Sequence, residues 1–213
     1  MKAFVCFVSF LFVSAAIAEP MHFEIKESAG KCCINWIQAT GDITEDTPTV
    51  FEAFLRSPEF IPKVVRLNSE GGSLRGGMLL GEQFRTRDFA TEVGSTKLNN
   101  DGRLPGRKDV HTRTPGSCSS ACAIAFLGGV ERILDPDSAL SFHIVSNRNV
   151  SEDDLRELTT LESLYFLEMG VDTRLMTLLI EAGPNVMKRI RPDEARALRV
   201  ITGDLPSQCS ACP

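Results

Sequence analysis

Between Lys63 and Phe84 the chain spells a strand, a sharp turn and a helix in succession, and this order constrains the fold more than any other feature. Lys63-Val64-Val65-Arg66-Leu67 is short and β-branched, the composition of a strand buried inside a sheet. Asn68-Ser69-Glu70-Gly71-Gly72-Ser73 follows, a turn whose two glycines permit backbone conformations closed to other residues. Leu74, Met78, Leu79 and Phe84 then give a helix its apolar face. Gly76, Gly77 and Gly81 are poor helix formers, so within that helix they predict close packing against a neighbour. A buried strand feeding a helix through a tight turn is half of a βαβ unit, and repeats of that unit build a parallel sheet.

The alternation continues on both sides. Cys33 to Ile43 is β-rich, Thr47 to Leu55 carries helical spacing at Val50, Phe51, Phe54 and Leu55, and Phe89 to Val93 reads as a strand. Ser120 to Leu127 is a short apolar helix stopped by Gly128-Gly129, and strands at Val130 to Leu134 and Ala139 to Val145 flank an Asp135-Pro136-Asp137 turn. Ser151 caps a helix with an acidic first turn and an apolar face read from Leu155, Leu158, Leu161, Leu164 and Phe166. Asp172 to Ala182 and Pro192 to Leu198 read as helices, with Arg199-Val200-Ile201 as a closing strand. The polar stretch from Gly94 to Gly116 reads as a flexible insertion. The fold class is α/β, with a mainly parallel sheet covered by helices.

Lys2, the apolar run Ala3 to Val13 and the small-residue ending Ala16-Ile17-Ala18 have the form of a secretory signal peptide cut after Ala18. The alternative is an uncleaved membrane anchor, for which the run is short. Cleavage leaves 19–213 as a single domain with its core at 34–204 and a cysteine-containing tail at 205–213. The predicted location is periplasmic or secreted. The chain carries 23 Lys and Arg against 28 Asp and Glu, and this acidic balance argues against a nucleic-acid partner.

Export makes disulfides the expected use of Cys32, Cys33, Cys118, Cys122, Cys209 and Cys212, with the connectivity open. On a strand, Cys32 and Cys33 point to opposite faces and so seek different partners. Cys209-Ser210-Ala211-Cys212 has redox-dithiol spacing but does not sit at a strand-to-helix turn. One Cys-x-x-Cys facing an adjacent cysteine pair, with no nearby histidine, does not make a zinc site, so neither a metal nor another cofactor is expected.

The candidate chemistry lies in three places. The Gly71-Gly72 turn can direct backbone N–H groups at an anion, and Ser120 stands at a helix start where the Ala121 amide is free of intrahelical partners. His143 ends a strand and is the best-placed base, since His22 follows the leader and His111 lies in the polar stretch. An activated serine needs all three, because its hydroxyl is a weak nucleophile until a base takes the proton and fixed donors receive the oxyanion. Each element also has a structural reading, as a glycine turn, a helix cap and a hydrogen-bonded strand-end histidine.

Leu67 to Ser73, Ser120 to Gly129 and Ala139 to His143 together resemble the signature blocks of the Clp protease proteolytic subunit, within the ClpP/crotonase superfamily. Cys-x-Ser-Ala-Cys around Ser120 is similar to exported ClpP-like proteins of Gram-negative bacteria. The resemblance spans about Ile34 to Asp204 and implies repeated β-β-α units. It implies Ser120 as nucleophile, His143 as base, and the turn of Gly71 and Gly72 with Ala121 as oxyanion hole. Glu70 stands where the family has proline, 94–116 is extra, and the family's acid position falls near Gly183; Glu181 is the nearest carboxylate and Asp172 a poorer choice. A backbone carbonyl holding His143 is the other option.

The implied activity is a serine-type peptidase on peptides or unfolded chains, working without ATP and so without the unfoldase partner of cytosolic relatives. Self-association, in a form the sequence leaves open, joins peptide substrates among the partners. The alternative is a non-catalytic protein of the same fold that binds envelope or secreted partners. Acyl-CoA chemistry, as in crotonases, is disfavoured because coenzyme A is cytoplasmic.

Overall fold

A computed structural model describes residues 19–28, 35–98, 111–144, 151–183 and 186–204. The main sheet has five strands in the order β1 (His22–Lys26), β2 (Trp36–Thr40), β3 (Val64–Asn68), β4 (Ala90–Val93) and β8 (Arg132–Leu134). β2, β3, β4 and β8 are parallel, and β1 adds antiparallel at one edge with Phe23 opposite Ala39. Helix α1 (Thr47–Leu55) carries the chain from β2 to β3, and α2 (Leu74–Thr86) carries it from β3 to β4. Crossovers of this kind are what parallel neighbours require.

Local signals explain where these helices start. Pro48 stands in the first turn of α1, where its missing N–H costs nothing. Ser73 caps α2, its hydroxyl accepting from the Gly76 amide at 3.1 Å. The glycines of α2 pack as the sequence predicts: a Cβ on Gly76 would strike the Thr44 carbonyl, and one on Gly77 would lie 2.5 Å from the Ala121 carbonyl oxygen. α2 therefore lies directly on α3 (Ala121–Leu127), the helix that follows Ser120. Between α1, β1 and α2, Phe51 packs on Phe23, Phe84 and Phe89 with ring centroids 4.9, 5.2 and 5.6 Å away, contacts worth roughly 1 kcal/mol each beyond burial.

A second sheet has the order β10 (Lys188–Arg189), β9 (Ala139–Phe142) and β7 (Ser117–Ser119), with β7 and β9 parallel. Backbone hydrogen bonds join it to the first. Beyond the end of β3, the Ser69 amide donates to the Ser117 carbonyl at 2.8 Å, and the Ser119 amide donates to the Ser69 carbonyl at 3.0 Å. Helices α4 (Glu152–Glu168), α5 (Arg174–Ala182) and α6 (Pro192–Ala197) complete the described residues. Ser151 caps α4 by accepting from the Asp154 amide at 3.1 Å, and three acidic residues follow in the first turn.

Three expectations change. The flanks of the polar stretch 94–116 are paired: β5 (Ser95–Leu98) and β6 (His111–Thr114) form an antiparallel hairpin, while 99–110 lie outside the described residues. Arg66, fully buried, holds that hairpin by donating to the Ser95 and Thr114 carbonyls at 3.0 and 2.6 Å, and its charge is met by Glu92 at 2.9 Å. Residues 199–201 are not a strand. Their backbone closes the end of α6, with the Val200 amide donating to Ala195, while the Arg199 and Val200 carbonyls accept from the buried Arg132 guanidinium. The apolar face of α4 is also rotated from expectation, since Leu161 and Leu164 are 47% and 56% exposed and Tyr165, Phe166 and Met169 are buried. Cys32, Cys33, Cys209, Cys212 and 1–18 lie outside the described residues.

Candidate active site

The turn after β3 is clamped from behind. Gly71 and Gly72 adopt φ of +113° and +132°, and a Cβ on Gly72 would run into the Ile43 carbonyl. Ile43 donates to the Gly71 carbonyl and accepts from the Ser73 amide, both at 2.7 Å. The Gly71 amide is taken by the Ser69 hydroxyl at 3.1 Å. This corrects the expectation that Gly71 donates to an oxyanion: it is a packing position, where a Cβ would come within 2.7 Å of the Ser119 carbonyl and the Ser120 Cβ. The Gly72 amide, by contrast, has no acceptor among the described residues.

Ser120 forms the tight corner between β7 and α3. Its φ of +55° with ψ of −126° is a conformation that side chains rarely adopt, and strain of this kind costs on the order of 1–3 kcal/mol. The corner is fixed on both sides: the Ser120 amide donates to the Ser141 carbonyl of β9 at 3.0 Å, and its carbonyl accepts from Ile124 at 3.2 Å. A disulfide between Cys118 and Cys122 spans the same corner, with Cα atoms 5.2 Å apart and both residues fully buried. The Ser120 hydroxyl makes no helix-capping bond. It meets His143 Nε2 at 2.7 Å instead.

His143 comes one residue after β9, so the register that pairs Ser119 with Ser141 brings its ring to the serine corner. Its other nitrogen, Nδ1, lies 2.8 Å from the Ile144 carbonyl. A carbonyl only accepts, so Nδ1 carries a proton, and in the neutral ring Nε2 then presents its lone pair to the Ser120 hydroxyl. Glu181 is exposed on α5 and makes no hydrogen bond to His143, and Asp172 is engaged by Arg174 at 2.9 Å, which holds its carboxyl at about 2. The structure therefore does not bring either sequence candidate to His143 as its orienting partner.

Ser120, Ala121, Gly72 and His143 line one cavity of about 160 Å³, closed by Leu74, Ile124 and Phe142. The eighth lining residue is Glu162 of α4, which sequence reasoning missed. Glu162 is 2% exposed, has no hydrogen-bond partner among the described residues, and is pushed up to about 7 by its burial. The signal was present: Glu162 interrupts the stripe that continues through Tyr165, Phe166 and Met169 at helical spacing, where an apolar side chain is the rule.

The arrangement is a serine at a strained strand-to-helix corner, a base within hydrogen-bonding distance, and Gly72 and Ala121 lining the same cavity. A solved structure of a ClpP1 mutant from Listeria monocytogenes matches this chain with a TM-score of 0.52 at 11% identity, covering 78% of this chain and 88% of that one. The fold is ClpP-like. No protein-family model matches the sequence, and no curated protein matches it either. At this identity the likeness to ClpP concerns the fold, and the chemistry of the cavity has to be argued from its own residues.

Proposed function

We propose that the chain is an exported ClpP-like serine peptidase that cleaves peptides or already unfolded chains without ATP. The observation that carries this reading is the 2.7 Å hydrogen bond between the Ser120 hydroxyl and His143 Nε2. In this mechanism Nε2 takes the hydroxyl proton as Oγ attacks a peptide carbonyl, and the Gly72 and Ala121 amides receive the developing oxyanion. His143 then protonates the leaving amine, and a water molecule, deprotonated by the same nitrogen, releases the acyl group.

Export is supported by the N-terminal leader pattern and by the disulfide, which suits an oxidising compartment. The location proposed is the periplasm or the exterior, where an ATP-driven unfoldase has no fuel. Repeated β-β-α units of the ClpP/crotonase superfamily, and self-association, belong to the same proposal. Fluorophosphonate labelling of the full chain at Ser120, lost in S120A, together with cleavage of unfolded casein, is the test. Absence of both labelling and cleavage overturns the peptidase reading.

One observation favours a second reading, a non-catalytic binding protein of this fold: among the described residues no carboxylate supports His143. Loss of the orienting acid from a serine triad costs on the order of 10⁴ in turnover. S120A separates the two readings, since it abolishes function in a peptidase and leaves partner binding intact in a binding protein.

A further inference from the structure

Among the described residues Glu162 is the one carboxylate lining the cavity that holds Ser120, and the mechanism above does not use it. The cavity, at about 160 Å³, has room for one side chain. A carbonyl positioned at Ser120 Oγ, with its oxygen toward the Gly72 and Ala121 amides, belongs to the residue on the acyl side of the scissile bond. Its side chain is attached one bond away, so it is the group that enters this space. The walls it meets are Leu74, Ile124 and Phe142, which are apolar, and Glu162.

Among the described residues nothing neutralises that carboxylate. α3 beneath the cavity is Ala-Cys-Ala-Ile-Ala-Phe-Leu and brings no charge. At the start of α2, Arg75 is directed to Glu45 at 3.3 Å. On α4 itself, Arg156 is exposed among Glu152 and Asp153, and the Tyr165 hydroxyl is spent on the Ile124 carbonyl at 3.0 Å. Among the described residues the only other titratable group lining the cavity is His143, whose two nitrogens are engaged by Ser120 and Ile144. A buried carboxylate without a partner is costly as an ion, and an incoming cation removes that cost.

We infer that Glu162 makes this cavity a specificity pocket for a basic side chain, so that the preferred substrates carry lysine or arginine on the acyl side of the cleaved bond. This inference rests on the peptidase reading and adds its substrate class. The apolar walls accommodate the methylene stem and the carboxylate receives the charged end, the division of labour that long basic side chains favour. Because burial pushes Glu162 up to about 7, the preference strengthens as pH rises through that value while lysine and arginine stay protonated.

The test uses the full chain and matched peptide substrates differing only in lysine or norleucine at that position. The readout is the ratio of their kcat/KM values, in which the titration of the Ser120–His143 pair cancels. The expected ratio favours lysine by at least about tenfold at pH 8.5, falls toward unity at pH 5.5, and drops by at least about tenfold at pH 8.5 in Glu162→Gln. Since the pH dependence is read on the unaltered protein, the inference stands or falls even if the variant misfolds. Efficient cleavage of the norleucine peptide with no lysine preference at any pH overturns the role of Glu162 and leaves the peptidase reading intact. Cleavage of neither peptide, with no fluorophosphonate labelling, overturns both.

Discussion

His143 donates its Nδ1 proton to the Ile144 carbonyl oxygen at 2.8 Å, and so takes its orientation from the residue that follows it in the chain. A carbonyl fixes the tautomer but brings no negative charge to stabilise an imidazolium. Glu181→Gln is expected to leave the rate of Ser120 labelling and peptide turnover within about twofold of the unaltered protein. A loss approaching 10⁴ in turnover would identify Glu181 as the orienting acid after all.

The strained corner at Ser120 predicts an inversion of the usual ranking of alanine and glycine. Alanine retains the unfavourable φ of +55°, whereas glycine adopts it freely. Ser120→Gly is therefore expected to be more stable than Ser120→Ala by about 1 kcal/mol in urea denaturation, while neither variant labels. Equal stability would show that the corner carries no strain.

Reduction of the Cys118–Cys122 disulfide releases a crosslink that closes a short loop, worth about 2 kcal/mol on chain-entropy grounds. It also frees the corner that aims Ser120. Treatment with a phosphine reductant is expected to slow fluorophosphonate labelling by roughly tenfold to a hundredfold, and the C118A/C122A double variant should show the same loss. Unchanged labelling after complete reduction, verified by thiol titration, would make the bridge irrelevant to the nucleophile.

Glu162 predicts a pH dependence of stability. Its folded value of about 7 lies above the ordinary 4.5, so the folded state binds the proton more tightly than the unfolded state does. Relative to an unperturbed carboxyl, the stability this lends is fully present below about 4.5 and is lost as pH rises through about 7. Glu162→Gln removes the dependence. The variant is expected to gain stability over the parent as pH rises from 4.5 to 7, reaching about 3 kcal/mol above that, with no gain at pH 4.5. Thermal or urea denaturation at the two ends of the range checks it.

What the sequence made legible was what short-range chemistry determines. α1 runs from Thr47 to Leu55 as its spacing indicates, and Ser73 and Ser151 cap the helices they precede. The β5–β6 hairpin escaped because its strands lack apolar alternation; they are held by Arg66 and Glu92, residues distant in sequence. The end of α6 looked like a strand because Val200 and Ile201 are β-branched, yet Arg132 captures the carbonyls a sheet would need. On α4, leucines on more than one side left the buried stripe ambiguous. At the site, motif order paired Ser120 with His143, which the structure joins by a hydrogen bond. The partner of Nδ1 had no residue signature, because any residue supplies a backbone carbonyl.

The seam between the two sheets, where Ser69 meets Ser117 and Ser119, has a further bearing on how such a protein is made. Gly72 follows a strand of the first sheet, while Ser120 and His143 extend from strands of the second, and the chain crosses from β7 to β8 to β9 between them. Neither half alone owns a nucleophile, its base and the amides that receive the oxyanion. Under the proposed function, latency is then a property of topology: cutting power arrives only when both halves have docked, which spares the newly made chain and its neighbours from a half-built protease.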